Sequence, residues 1–177
     1  MEKIVENIKT RFKVSDVIHQ RGNLTFVTTG KESAIPLITW LRDYEGFSHF
    51  VLLSTVDWNE DGFFQLTYLL NNPVKKVDLG IRTFILRKNA EMTSAHHLWE
   101  QVATYQREIK EMFGINFPGS PRVDESFLLE GWDDIPPMRR EFDTKEYSEK
   151  TFFPRPGRES NDPATYMKSK LYPNEEK

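Results

Sequence analysis

Apolar residues recur along this chain at two spacings, which predict three helices and five strands. Steps of three and four residues, the period of one helix face, occur in three segments: residues 2–12, residues 31–44 and a helix that ends at Gly114. We expect Pro36 in the first turn of the second helix, where its missing N–H does little harm, and Gly46 at its end. We expect the third helix to begin at Thr93 or Ser94, either of which can cap it. Its apolar face comprises Leu98, Val102, Tyr105, Ile109 and Met112.

Alternating apolar and polar residues, the period of a strand, mark five further segments: residues 14–20, 24–28, 47–57, 63–71 and 76–87. Turn residues separate several of them, notably residues 21–23 and 59–62. The resulting order is α-β-β-α-β-β-β-α. This order predicts a two-layer α+β domain in which helices pack on an antiparallel or mixed sheet.

The composition of the chain changes after Phe117. Eight of the ten prolines follow this residue, a density that prevents helices and central strands. The same region keeps too many aromatic residues and leucines for a solvated tail. We therefore divide the chain into an α+β domain (1–117), a proline-rich segment (118–143) and an extended C-terminal arm (144–177). We expect the segment to contact its own domain and a partner, and the arm mainly a partner. Wrapping around its own domain is the alternative.

Charge and cysteine content exclude several kinds of function. The net charge of −3 gives no basic footprint for nucleic acid. The chain has no cysteine, which excludes disulfides, a thiolate nucleophile and thiolate-held clusters on this chain. No stretch approaches the ~20 apolar residues of a membrane helix. Association with a membrane is therefore expected only through partner subunits.

The sequence lacks the common motifs of nucleotide-binding, metal and nucleophile sites. It contains no glycine-rich nucleotide loop, no zinc-protease motif and no serine nucleophile elbow. His96 and His97 are adjacent, so on a helix they would point about 100° apart and could not easily share a metal. We expect no catalytic, cofactor-binding or metal site on this chain. The alternatives are a free-standing enzyme that uses His96, His97 and Glu100, and a free-standing adaptor for a soluble partner.

Two blocks of residues resemble a known family. Residues 105–117 read YQREIKEMFGINF, and residues 131–142 end in PMRREF. Together they resemble the signature of the 30-kilodalton subunit of respiratory complex I and its hydrogenase relatives. That signature runs Glu-Arg-Glu-x-x-Asp-x-Phe-Gly-Ile-x-Phe and later Pro-Leu-Arg-Lys-Asp followed by an aromatic residue. The sequence departs from it at Gln106, Glu111, Met138, Arg140 and Glu141.

The resemblance implies a cofactor-free accessory subunit in the peripheral arm of a membrane-bound, ion-pumping oxidoreductase, on the cytoplasmic face of the cell membrane. Its partners would be the catalytic large subunit and the iron–sulfur subunit, which would carry iron–sulfur clusters and a nickel–iron centre. The departures favour the ferredoxin-linked nickel–iron hydrogenase branch. Quinone-reducing complexes linked to NADH, deazaflavin or ferredoxin, and sulfur-reducing complexes, are the alternatives.

The resemblance also identifies the residues of a structural or partner-binding motif: Arg107, Glu108, Glu111, Phe113, Gly114, Phe117, Pro137, Arg139, Arg140 and Phe142. Arg107 and Glu111 are four residues apart and can pair along the helix. Because arginine offers a planar fork that suits carboxylates, we also expect a longer-range ion pair. It would join Glu108 or Glu111 to Arg139 or Arg140 and tie the proline-rich segment to the third helix.

Overall fold

The computed structural model describes residues 1–20 and 22–152, with only the backbone of Phe152. Arg21, which we placed in a turn, lies outside the described residues. The elements along the chain are α1 Glu2–Arg11, β1 Val14–His19, β2 Leu24–Thr29, α2 Lys31–Glu45, β3 His49–Trp58, β4 Phe63–Asn72, β5 Val77–Leu86, α3 Val102–Phe113 and α4 Thr144–Phe152. The predicted order of the first eight elements is confirmed.

The five strands form one mixed sheet in the order β1-β2-β5-β4-β3. Helix α2 carries the chain from β2 to the far edge of the sheet, where β3 begins. Two antiparallel hairpin steps, β3 to β4 and β4 to β5, then bring the chain back. Strand β5 therefore fills the place beside β2 and pairs with it in parallel. The predicted α+β class is confirmed.

One face of the sheet packs against the helices. The register aligns Val27, Ile81, Tyr68 and Leu53 across four strands, and all four side chains are buried. They belong to one apolar cluster with residues of α1, α2 and α3. Because side chains alternate between the two faces of a strand, the opposite set of side chains forms a second, outer face.

The start of the third helix was predicted wrongly. Helix α3 begins at Val102, and the chain before it is held in extended and turn conformations. Met92 donates its N–H to the carbonyl of Asn116, and Asn116 donates to the carbonyl of Ala90. This pairing keeps the chain extended where we expected a cap. Ser94 instead donates its hydroxyl to Gln106 Oε1 at 2.7 Å.

Helix α2 contains a proline beyond its first turn. Pro36 is the sixth residue of this helix, whereas we predicted it in the first turn. A proline at this position removes the hydrogen bond to the carbonyl of Glu32, four residues earlier. Both Pro36 and Glu32 are exposed, so water can reach that carbonyl. Gly46 ends the helix in the left-handed conformation, with φ of 80°, as predicted.

The described chain falls into two units, Met1–Phe142 and the residues from Asp143 onward. In the second unit Thr144–Phe152 forms helix α4, where we predicted extended chain. This stretch has no proline, and Asp143 Oδ1 accepts the N–H groups of Lys145 and Glu146, both at 2.9 Å. Such a cap favours a helix. The rest of the predicted arm, residues 153–177, lies outside the described residues.

None of the helices in residues 1–20 and 22–152 has both the length and the apolar character that a membrane span requires.

The outer face of the sheet has one close backbone approach. The ring of Phe26 lies directly over Gly80, its partner in β5, and the Arg82 guanidinium carbon stands 3.9 Å from the ring centroid. A Cβ atom at residue 80 would lie 2.3 Å from Phe26 Cδ1. Only glycine therefore leaves room for the ring at this position.

We expect Gly80→Ala to destabilise the protein by about 1–3 kcal/mol, the usual cost of overpacking, as measured by urea unfolding. Phe26→Leu should relieve the clash, so the double variant should lose less stability than the two single losses added together. Additive losses would show that the ring does not determine the need for glycine.

Candidate functional site

The two sequence blocks meet at the end of helix α3. Gly114 ends this helix with φ of 74°, and its N–H donates to the carbonyl of Lys110. A Cβ atom at residue 114 would lie 2.8 Å from Arg139 Nη2 and 3.2 Å from Pro136 Cγ. Glycine is therefore required twice, for the left-handed backbone and for the approach of the second block.

Arg139 and Met138 bind the carbonyl groups that end α3. Arg139 Nε donates to the carbonyl of Phe113 at 2.6 Å, and the N–H of Met138 donates to the carbonyl of Met112 at 3.0 Å. The last carbonyls of a helix have no partner within the helix. The second block therefore completes the C-terminal end of α3. We call these contacts, together with those of Asp57, Arg87 and Glu111 described next, the motif contact.

A buried carboxylate holds the other side of the second block. The Asp57 side chain is only 3% exposed and accepts from Arg87 Nε at 2.7 Å and Arg87 Nη2 at 3.1 Å. It also accepts the backbone N–H of Arg140 at 3.0 Å. Arg87 further pairs with Glu141. Asp57 thus joins strand β3, the end of β5 and the second block.

The contacts with Asp57 and Glu141 stabilise the charged form of Arg87. Burial of Arg87 acts to lower its pKa, but the hydrogen bonds and charges of Asp57 and Glu141 outweigh that effect, so the pKa is raised.

Glu111 binds the proline-rich segment at a second place. Its carboxylate accepts three consecutive backbone N–H groups, from Phe127 at 2.6 Å, Leu128 at 2.7 Å and Leu129 at 3.0 Å. The guanidinium carbon of Arg107 lies 5.3 Å from the ring centroid of Phe127. These loop N–H groups have no strand or helix partner, so the carboxylate replaces the bonds that regular structure would supply.

The predicted ion pairs do not form among the described residues. Glu111 uses its carboxylate on backbone N–H groups, and Arg139 uses its guanidinium on a backbone carbonyl, so neither binds the other. Glu108 lines a groove beside His49 and Tyr105 and makes no hydrogen bond or ion pair with any described residue. Arg107 stacks on Phe127 instead of pairing with Glu111. The tie between segment and helix exists, but backbone groups provide it.

The remaining predicted residues lie near the motif contact. Phe113 and Phe117 are buried in the core. Phe142 stacks edge-on against Trp132, with ring centroids 5.5 Å apart, and Pro137 is half-buried. The side chain of Arg140 is exposed, and only its backbone takes part.

Sequence reasoning missed Asp57 and Arg87. Each ends a predicted strand, and the two strands flank β4. Asp57 pairs with Phe64, and Phe64 pairs with Ile85, so the acid occupies an inward position. A charged residue at an inward position, with an opposite charge at the end of a nearby strand, is a signal that could have identified the pair.

The motif contact is suited to fixing backbone shape. Its charged groups are bound to carbonyls, N–H groups or each other. Arg87 and Arg139 also line an open groove of about 540 Å³, but their described bonds hold protein groups in place. In the described residues no three histidine, aspartate or glutamate side chains are grouped as metal ligands. The alternative enzyme site is not on a helix: His96 Nδ1 lies 3.0 Å from the Ser94 hydroxyl, in the turns before α3.

Comparison with known proteins adds a family. The family model described as "Respiratory-chain NADH dehydrogenase, 30 Kd subunit" matches residues 27–148, which include both blocks. The C-type subunit of NADH-quinone oxidoreductase from Citrifermentans bemidjiense is 26% identical over 79% of this chain and 88% of that protein. The C/D 2 subunit of NADH-quinone oxidoreductase from Aquifex aeolicus is 26% identical over 80% of this chain. The match covers 23% of the Aquifex protein, so the chain spans about a quarter of that relative's length.

Two solved structures share the fold. One is a chain of the membrane-bound sulfane sulfur reductase, an archaeal respiratory membrane complex, with a TM-score of 0.79 and 21% identity over 91% of this chain and 96% of that chain. The other is a trypsin-resistant fragment of Nqo5, with a TM-score of 0.58 and 18% identity over 68% of this chain and 96% of the fragment.

We expect Glu111→Gln to lower the free energy of unfolding by about 1–3 kcal/mol, because an amide has one acceptor oxygen and cannot serve three N–H donors. Hydrogen exchange at residues 127–129 should accelerate. Glu108→Gln, on the same helix, is the matched control and should change neither quantity. Equal effects of the two substitutions would contradict this role for Glu111.

Arg139→Ala should cost about 1.5–3 kcal/mol, the range for hydrogen bonds to charged groups, since the carbonyl of Phe113 loses its donor. Arg140→Ala, one residue later, should stay within about 0.5 kcal/mol because its side chain is exposed. Urea unfolding of both variants tests the contrast. If Arg139→Ala left the free energy of unfolding unchanged, the motif contact would not stabilise the fold as we infer.

Proposed function

This chain belongs to the family of the 30 kDa subunit of respiratory-chain NADH dehydrogenase, and on that premise we propose that it is a structural subunit of a membrane-bound oxidoreductase complex. In this role it docks on the catalytic large subunit in the peripheral arm, on the cytoplasmic side of the membrane. The complex couples electron transfer to ion pumping. The chain itself performs no redox step.

The motif contact is the observation that carries this proposal. Arg139, Asp57 and Glu111 bind backbone groups from distant segments and so hold the proline-rich segment in one shape. A surface that is rigid before it binds loses less conformational entropy on docking. Because these charged residues bind the protein's own backbone, they favour the role of a docking subunit over that of an enzyme, whose charged residues would act on a substrate.

The relatives named C/D support a large partner. In the C/D proteins of Aquifex and Hydrogenobaculum, the region that matches this chain makes up 23% and 25% of the polypeptide. The rest is about three times as long as the matching part. Covalent linkage keeps two modules at high effective concentration. Modules that are fused in one polypeptide are therefore expected to bind each other. The D-type subunit is therefore the proposed partner.

The cofactors belong to the partners in this proposal. Iron–sulfur clusters are held by cysteine thiolates, and this chain has no cysteine. The iron–sulfur subunit would carry the clusters, and a hydrogenase large subunit would carry a nickel–iron centre.

The electron acceptor distinguishes three versions of the complex. The departures from the family signature favour a ferredoxin-linked nickel–iron hydrogenase. The names of the curated relatives favour quinone reduction, and the sulfur reductase shares the fold over most of the chain. The structural role proposed here is common to all three.

Purification from detergent-solubilised membranes through a tag on this chain tests the proposal. We expect the large subunit and the iron–sulfur subunit to co-purify, with iron in the preparation. Nickel together with iron would support the hydrogenase version, and iron without nickel the quinone- or sulfur-reducing versions. A lone chain without either metal would overturn the proposal.

A further inference from the structure

The outer face of the sheet carries an apolar surface at one end. In the register Trp58 lies opposite Phe63, and Phe63 lies opposite Leu86. The next row on the same face places Val56 and Phe84 on either side of Gln65. We call the apolar members of these two rows the outer patch: Val56, Trp58, Phe63, Phe84 and Leu86. They are between 37% and 63% exposed.

The polar groups within the outer patch are already bonded. Trp58 Nε1 donates to Gln65 Oε1 at 3.3 Å, and Gln65 Nε2 donates to Thr67 Oγ1 at 3.3 Å. The indole N–H and both ends of the Gln65 amide therefore have partners on this face. Burying this surface would not leave them without partners, and unpaired polar groups are the usual penalty for burial.

The next apolar part of the same face is covered by the chain itself. The Phe26 ring closes over Gly80, and Arg82 closes over the ring, as described above. The outer patch has no such cover from any described residue. A contiguous exposed apolar patch of a few hundred Å² is often an interaction site in soluble proteins.

The area of the outer patch argues against a second copy of this chain. With side-chain areas of about 150–250 Å², its exposed fractions amount to roughly 400 Å². Two copies joined through it would bury about 800 Å², below the ~1,200 Å² of stable specific interfaces. A different subunit can add contacts beyond the patch, and a large one can do so easily.

The charge at the rim argues against a lipid surface. Glu60 and Asp61 form the hairpin turn next to Trp58 and Phe63. Both are exposed, and neither forms an ion pair with any described residue. Two uncompensated carboxylates would be repelled by anionic headgroups. They would be attracted to lysine or arginine on a protein partner.

We propose that the outer patch is a further surface, beside the proline-rich segment, through which this chain docks on the D-type large subunit, against an apolar surface edged by basic residues. This inference rests on the proposed function and assigns the docking to a face that carries neither sequence block. The motif contact holds the ends of β3 and β5 in place through Asp57 and Arg87. The patch residues adjacent to them, Trp58 and Leu86, are held with them.

The test compares two double variants of the full chain, each co-expressed with the D-type subunit of its own complex. Phe84→Thr with Leu86→Thr removes two patch residues and keeps the strand propensity. Tyr44→Gln with Val74→Thr is the matched control, because those residues are 79% and 89% exposed and lie off the sheet face. We expect co-purified large subunit to fall at least tenfold for the patch variant and less than twofold for the control.

A second variant changes no patch residue. Glu60→Lys with Asp61→Lys should reduce co-purification severalfold at low salt, with a smaller difference at high salt because salt screens exposed charges. Unchanged urea midpoints would show that each variant is folded. This variant keeps the test decisive if the threonine variant fails to fold.

Several outcomes would overturn the inference. Co-purification of the threonine variant within twofold of wild type would place the docking surface elsewhere. A dimer of the isolated chain that the threonine substitutions dissociate, with the large subunit retained, would assign the patch to a second copy. If the wild-type chain itself retained no large subunit, the proposed function would fail as well, and this result is distinct from the other two.

Discussion

The C-terminal end of helix α3 sets the constraint on which the motif region depends. A helix cannot bond its own last carbonyls, and a buried carbonyl without a donor is costly. Here the donors come from residues 138 and 139 of a proline-rich segment. Gly114 is glycine because its backbone is left-handed, and the Arg139 side chain, which is bonded to the Phe113 carbonyl, lies where a Cβ atom would be. The two sequence blocks are therefore two halves of one structural unit.

Asp57 extends this unit to the sheet. Burying an ion pair gains little net stability over apolar residues, although breaking one costs about 3–5 kcal/mol. The pair with Arg87 is therefore better understood as a constraint on geometry. Asp57 also accepts the backbone N–H of Arg140, so the second block is fixed relative to β3 as well as to α3. Glu111 does the same for residues 127–129, and a segment rich in proline acquires a defined path without regular structure.

The two faces of the sheet differ in how they are covered. The inner face is buried under three helices. On the outer face, Phe26 and Arg82 cover Gly80, whereas no described residue covers the outer patch. A chain that holds its loops rigidly and leaves apolar surface open fits a subunit of a larger assembly. The family membership points in the same direction.

The sequence alone determined the first eight elements, their order and the family, because helix and strand periods and turn residues act over a few positions. Local pattern did not determine where α3 begins, since pairing of Met92 with Asn116 keeps residues before it extended. Local pattern also did not give the partners of Glu111 and Arg139. We had paired these side chains with other side chains, but in the fold they bind backbone N–H and carbonyl groups instead. Asp57 and Arg87 are thirty residues apart in the chain, and only the tertiary structure brings them together. Spacing along a sequence encodes short-range contacts, whereas the partner of a charged side chain depends on which distant backbone groups lose their water on folding.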